Sequence, residues 1–325
     1  MFSAKWVRVE DATDHALHLL GQAKAEAESA GRVRELREIE SLEDLVRANQ
    51  ARGGVLMDRT GRPQCLALWD AIEGVGRRVR FLYGRPDSRN LEGWTEILST
   101  LLEPSEPDGP AVLVHWAVAG ISTAQADGLL ARWGFLPYHR EQLVLPPDRP
   151  LPPPDPRPLV SGRIRPVNRR DFDQVVRLNA ASYRDELERY LYATTRDPTE
   201  DSRRLLQRLR DGDFGKPLDD ASVVLEIDGA LRGASLVTQR PEYLLIADVE
   251  VHPEARGRGY ARRLLLATLT ALSALPRAPI ALAVIRENAA AYHLYSDLGF
   301  DPTDMVETVW ANPVRLGIEP PAGPH

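Results

Sequence analysis

The stretch that decides the fold is Asp248-Val-Glu-Val-His-Pro-Glu-Ala-Arg-Gly-Arg-Gly-Tyr-Ala-Arg-Arg-Leu-Leu-Leu-Ala-Thr-Leu269. It opens as a strand, because Leu244 to Val251 is apolar and β-branched apart from Asp248 and Glu250. It closes as a helix, with Leu264, Leu265, Thr268, Leu269 and Leu272 at helical spacing. Between them lies Arg256-Gly257-Arg258-Gly259-Tyr260-Ala261. A glycine-rich passage from strand into helix leaves several backbone N–H groups unpaired and pointing one way. With the helix dipole and two arginines, that is an anion socket of the size of a phosphate or pyrophosphate.

The remainder of the chain frames this stretch. Its 325 residues are 43% hydrophobic and 27% charged, an ordinary globular composition long enough for two domains. The formal net charge of −6 provides no global basic field, which argues against nucleic acid as a partner. The single cysteine, Cys65, sits in an apolar predicted strand and reads as core, and the lack of a possible internal disulfide fits a cytoplasmic protein. No apolar run approaches the ~20 residues of a membrane span, and the N-terminus shows no signal-peptide core, so no membrane partner is expected. No His, Cys, Asp or Glu cluster has metal-ligand spacing, and no metal is expected. A homo-oligomer is compatible with this composition.

Residues 146–158, Pro-Pro-Asp-Arg-Pro-Leu-Pro-Pro-Pro-Asp-Pro-Arg-Pro, read as an extended spacer. The expected organisation is a first domain over 1–147, a Pro-rich linker over 148–160 and a second domain over 161–325. Each half is predicted to run strand, two helices, a hairpin, a strand leading into a helix, a further strand and helix, and a closing strand. In the first half Ser41-Leu-Glu-Asp44 resembles a capping box that would start the second helix, and Ala111 to Val118 reads as a strand. Val7-Arg-Val-Glu-Asp-Ala-Thr-Asp14 lies over Ile164-Arg-Pro-Val-Asn-Arg-Arg-Asp171, and Trp133-Gly-Phe-Leu-Pro137 over Leu298-Gly-Phe-Asp-Pro302. This is a tandem repeat with a period near 160 residues.

Arg256, Gly259 and Ala261 meet the pattern Gln/Arg-x-x-Gly-x-Gly/Ala, and Asn288-Ala-Ala-Ala-Tyr-His-Leu-Tyr295 followed by Gly299-Phe300 comes next along the chain. In this order and spacing the two motifs resemble the acyl-CoA-binding and following motifs of the GNAT N-acetyltransferase superfamily, over roughly residues 162–312. The resemblance implies an α/β (α+β) fold: two GNAT-like domains, each a mixed, mostly antiparallel twisted sheet flanked by helices. It implies an acyltransferase that moves an acetyl group from acetyl-CoA, its co-substrate, to a primary amine of a small molecule or peptide by direct attack. The amides and side chains of Arg256, Gly257, Arg258, Gly259, Tyr260 and Ala261 would hold the CoA pyrophosphate. Strands 244–251 and 280–285 would splay apart and pair with pantetheine near Val249, Val251, Asn288 and Ala291, an amide near Val249–Val251 would receive the oxyanion, and Tyr295 would be the general acid.

The general base is less defined. Alternation puts Leu245, Ala247 and Val249 inward, and none ionises; Asp248 and Glu250 fall on the other face unless a bulge rotates them. Glu242 and Glu250 are the candidate bases, with deprotonation by solvent as a third route. Tyr183, Arg184, Glu186, Tyr190 and Tyr192 form a polar-aromatic group suited to an amine acceptor or to a solvated helix face. The absence of an obvious base leaves a second reading, a non-catalytic acyl-CoA-binding regulatory module.

Transferred to the first half, the landmarks fail. Leu130 stands where Tyr295 would, Thr123 where Asn288 would, and Gly84-Arg-Pro-Asp-Ser-Arg-Asn90 has no Arg-x-x-Gly-x-Gly. The first domain is therefore expected to be a degenerate copy.

Overall fold

The computed structural model describes residues 5–102, 109–114, 123–159 and 161–320. In chain order the first elements are β1 (Lys5–Arg8), α1 (Thr13–Ser29), α2 (Val33–Arg47), β2 (Gly53–Met57), β3 (Pro63–Ile72), β4 (Gly76–Gly84), α3 (Leu91–Leu102), β5 (Pro110–Val114), α4 (Thr123–Leu130) and β6 (Leu136–Leu145). Then come β7 (Arg163–Pro166), α5 (Phe172–Ser182), α6 (Leu187–Tyr190), α7 (Pro198–Asp211), β8 (Lys216–Pro217), β9 (Val223–Ile227), β10 (Ala230–Gln239), β11 (Leu244–Val251), α8 (Tyr260–Leu272), β12 (Ile280–Ile285), α9 (Ala289–Asp297), β13 (Asp301–Ala311) and α10 (Pro313–Leu316). The expected strand over 111–118 is β5 as far as Val114; its remainder, 115–118, lies outside the described residues.

Two compact units emerge. One takes the described residues up to Pro137 together with those from Thr308 on; the other takes Tyr138–Glu307. The cuts thus fall before the Pro-rich run and before the end of the second half. The reason is strand pairing. The first half's closing strand, β6, runs antiparallel to β12 along all of Ile280–Ile285, and Val309–Ala311 of β13 pair antiparallel with Val112–Val114 of β5.

In the first unit β1, β2, β3 and β4 form an antiparallel run, β4 continues parallel to β5, and the β2–β3 turn is closed by Asp58, whose Oδ1 accepts the Thr60 and Arg62 amides. Alternation on β3 divides two cores: Leu66 and Leu68 pack with α1 and α2, Cys65 and Ala67 with α3 and α4. The capping-box expectation at Ser41 is corrected, since that residue lies within α2. Ile39, Leu42 and Val46 form one buried stripe through it, and burial of that stripe outweighs the local cap signal. The loop after β4 is closed on itself. Arg85 N donates to Gln64 O, Ser88 N to Arg85 O and Gly93 N to Asn90 Oδ1. Arg89 stacks on Tyr83 and donates to Glu26 and to the Gly84 carbonyl. Trp94, Trp310 and Phe135 fill the core on the α3–α4 side, and Leu130 is buried there.

The second unit's sheet runs β6-β12-β11-β10-β9-β7, with β8 off the edge of β10. Helices α8 and α9 cover one face, through Leu265, Leu269, Tyr295 and Leu298. Helices α5 and α7 cover the other, through Val175, Val176, Leu206 and Leu209. The Pro-rich run forms no strand or helix, yet it is tethered: Arg263 donates to the Arg157 carbonyl and pairs with Asp155, while Leu151 and Leu159 rest against the core.

Indole packing carries the first unit's core on the α3–α4 side. Trp94→Ala is expected to cost about 3–5 kcal/mol by removing a fully buried side chain and leaving a cavity. Urea unfolding checks this; a loss under about 1 kcal/mol would show that the site collapses freely.

Candidate active site

The site is built on a fault in the sheet. Strand β11 is paired along its length to β10 on one side. Strand β12 is paired along its length to β6 on the other. Between them the parallel ladder has only two rungs, Leu244 to Ile280 and Leu245 to Ala281. Beyond Leu245 the strands separate, and the backbone edges that face each other across the gap have no partner strand. The expected splay is present.

The loop after β11 supplies the socket. Pro253–Ala255 makes one 3-10 turn, and Gly257 and Gly259 take φ of +74° and +75°, the left-handed region that a side chain resists. Gly259 is the N-cap of α8 and has no side chain to cap it, so the first amides of that helix stay open. Among the described residues no acceptor is bonded to the amides of Gly257 through Arg262, and a Cβ at either glycine would meet nothing within 4 Å. Arg256 points elsewhere: it donates to the Ser182 and Val251 carbonyls and pairs with Glu186, tying the loop to the end of α5. Arg258 is exposed and, like Arg262, has no anionic partner among the described residues. Tyr260 and Ala261 rest on the Val251–Leu264 core. Asn288 is the N-cap of α9, its Oδ1 accepting the Ala291 amide at 3.2 Å.

On the α5–α7 side of the gap lies a cavity lined by residues of α5, α6, α7, β6, β11 and β12. Its acid is Asp248, and the expectation that Asp248 and Glu250 face away from Leu245 and Ala247 is corrected. The β10–β11 register slips between Leu236, which faces Asp248, and Val237, which faces Ile246, so Ala247 is an extra residue in β11. This β-bulge breaks alternation. Ile246 and Val249, three apart, both pack in the core with α8 and α9, while Leu245, Ala247 and Asp248 line the cavity, which Ile246 also reaches. Val249, expected inward, packs on the far face.

The last turn of α5 answers with Asn179 and Tyr183, four residues apart on one face. The Tyr183 hydroxyl donates to Asp248 Oδ1 at 2.6 Å. Asn179 Nδ2 donates to Asp248 Oδ2 at 2.7 Å and to Glu250 Oε2 at 2.9 Å. Glu250 is 3% exposed and its Oε1 finds no partner among the described residues. Burial pushes the Asp248 carboxyl up to about 6, against the pull of the two donors. Burial raises Glu250 well above the usual carboxylate range, and the charge of Asp248 adds to it. Glu188 of α6 also lines the cavity, and burial lifts it to about 7. Tyr295, buried in α9 against Phe300, has its phenol raised by burial and then by the charges of Asp248 and Glu188. The phenol therefore keeps its proton at neutral pH.

Glu242 is exposed in the turn before β11 and does not line the cavity. Of the polar-aromatic group, Tyr183 and Tyr192 line it; Glu186 is paired with Arg256, Tyr190 is buried beneath Arg189, and Arg184 is exposed. Sequence reasoning passed over Asn179, Glu188 and Arg140. A buried amide within an apolar helix face was the available signal for Asn179; Glu188 and Arg140 carried none.

Residues 180–300 match the model of the Acetyltransferase (GNAT) family. A GCN5-related N-acetyltransferase from Sphaerobacter thermophilus superposes with a TM-score of 0.55 at 18% identity, over 95% of this chain and 94% of that one. The glucosamine N-acetyltransferase region of a fungal multi-domain GH3 β-N-acetylglucosaminidase gives a TM-score of 0.54 at 12% identity, over 95% of this chain and 38% of that one. At these identities the likeness is one of fold. The curated proteins gave no match. No helix among the described residues is long and apolar enough to cross a membrane.

Glu250 makes a prediction independent of catalysis. Its folded pKa is raised, so the fold holds a proton that the unfolded chain releases near pH ~4.3. That contribution to stability is full below the unfolded value and is lost as pH rises through the folded one. Glu250→Gln cannot ionise. Its Tm relative to the natural protein is expected to climb as pH rises above about 4; a difference flat with pH would mean Glu250 titrates as a solvated carboxylate.

Proposed function

We propose that the second half transfers the acetyl group of acetyl-CoA to a primary amine of a small molecule or peptide. The observation that carries this reading is the gap between β11 and β12, with open amides at its mouth and a buried, hydrogen-bonded Asp248 on its wall. The CoA pyrophosphate would sit on the amides of Gly257–Arg262, with Arg258 and Arg262 supplying charge and Arg256 holding the loop in shape. Pantetheine, rich in amides, would pair with the free strand edges near Val249 and Val251, beside Asn288 and Ala291.

The amine arrives as an ammonium. Asp248 takes one proton, directly or through a water, and the nitrogen lone pair attacks the thioester carbon. The C=O electrons move onto oxygen, and an amide in the Val249–Val251 edge donates to that oxyanion. The carbonyl reforms, the C–S bond breaks, and the Tyr295 hydroxyl gives its proton to the departing thiolate. Tyr295 regains a proton from the nitrogen, which sheds its second one as the amide forms. Glu250, held protonated, keeps a second negative charge away from Asp248, so that Asp248 alone is ionised at neutral pH. The alternative of a non-catalytic acyl-CoA-binding module drew its support from a missing base, and Asp248 on the bulge weakens that support.

Thiol release from acetyl-CoA across an amine panel tests the reading. Tyr295→Phe and Asp248→Asn are each expected to lower kcat by about 10²–10⁴-fold. Both should still gain thermal stability from CoA, which shows that they fold and bind. Activity of the natural protein should fall below about pH 6, as Asp248 takes up its proton, and Asp248→Asn should lose that limb. Stabilisation by CoA without turnover on any amine would leave the binding-module reading in place.

A further inference from the structure

We infer that the acceptor is a primary amine on a bulky apolar body, with no carboxylate beside the nitrogen and few hydroxyls. This rests on the acyltransferase reading above and names the substrate class of that site. The cavity carries the chemistry. Its apolar wall is made by Leu205, Leu206 and Leu209 of α7, which also contributes Ser202, with Leu191 and Phe214. The four leucines and Phe214 can neither accept nor donate a hydrogen bond.

The charged residues on the wall divide into two kinds. The charge of Arg189 is matched: its Nη2 pairs with Asp201 at 3.2 Å and donates to the Thr195 and Arg196 carbonyls, while its Nε has no partner among the described residues. Asp201 is consumed in turn, accepting the Thr194 and Thr195 amides. Arg140 is 3.4 Å from Glu307 and donates to the Tyr192 hydroxyl. Both cations that reach the cavity are therefore engaged. Two carboxyl groups, Asp248 and the Glu188 that burial lifts to about 7, form no ion pair among the described residues. Asp248 has neutral donors only, Tyr183 and Asn179, and Glu188 has no cation within ion-pair distance among the described residues.

An ammonium entering this space meets two carboxyl groups and no free cation. A carboxylate on the same carbon would face Asp248 and Glu188 with Arg140 and Arg189 already taken. A sugar amine would press hydroxyls against leucine side chains, at about 1–3 kcal/mol for each one left unpaired. An aryl or alkyl chain meets the Leu205–Leu209 face and Phe214 without such a penalty.

Matched probes decide it: 2-phenylethylamine, L-phenylalanine with the same body plus a carboxylate, and glucosamine. With acetyl-CoA, kcat/KM for 2-phenylethylamine is expected to exceed both others by at least about tenfold. Leu205→Asn, a half-buried lining position, should raise KM for 2-phenylethylamine more than it lowers kcat. A second arm needs no turnover: 2-phenylethylamine, and not L-phenylalanine, should raise the Tm of the CoA-loaded protein. Acetylation of glucosamine or L-phenylalanine at equal or better efficiency overturns the inference and leaves the acyltransferase reading intact. Stabilisation by 2-phenylethylamine with no turnover on any amine supports the inference and overturns the acyltransferase reading. The absence of both turnover and stabilisation with 2-phenylethylamine overturns the inference.

Discussion

The second unit depends on a ladder that stops after two rungs. β12 is bonded to β6 through six residues and β11 to β10 through seven registered pairs, so each strand follows its antiparallel partner. The two meet only at Leu244–Ile280 and Leu245–Ala281. The bulge at Ala247 adds local twist on the β11 side, as bulges do. Backbone groups left along the two edges need hydrogen bonds, and no strand of the fold supplies them. The separation lies between the helix side that carries Tyr295 and the side that carries Asp248. Departures from regular pairing in β11 therefore create both the open edges and the position of the acid.

The first unit uses the corresponding groups within itself. Its loop after β4 spends its amides on Gln64, Arg85 and Asn90, and its arginine on Glu26. Where the second unit has a phenol, the first has Leu130, and its core on that side is closed by Trp94, Trp310 and Phe135. Each replacement exchanges a group that could bind something for one that packs or bonds within the protein. These exchanges favour stability, because burying an indole is worth more than leaving an edge wet.

How much of this was legible in the sequence follows from the range of the interactions involved. The socket was legible, because Gly257 and Gly259 are needed by local backbone geometry and the helix after them announces itself by leucine spacing. Tyr295 and Asn288 were legible for the same reason, as positions on one short helix. The facing of Asp248 was not. It turns on one extra residue in β11, and Ala247 carries no mark that distinguishes a bulged position from an ordinary inward one. Glu188 and Arg140 became cavity residues only because α6 and β6 are brought to β11 from distant parts of the chain. The Ser41 capping signal failed in the opposite direction: a local pattern was present, and the buried stripe of Ile39, Leu42 and Val46 overrode it.

The pair Asp248 and Glu250 also shows why two carboxyls serve better than one. Alone, a buried carboxylate with two good donors would be an acid of ordinary strength and a weak base. Asn179 holds both groups on one nitrogen, at 2.7 and 2.9 Å, so their charges are felt mutually. The donors are unequally shared: Asp248 has the Tyr183 hydroxyl as well, Glu250 has the single amide and an empty Oε1. The proton therefore resides on Glu250, the less solvated partner, and Asp248 carries the charge. Burial then leaves Asp248 at about 6, close enough to neutrality to accept a proton and to release it again. The asymmetry of hydrogen bonding, rather than proximity to the gap alone, is what leaves Asp248 the ionised member of the pair.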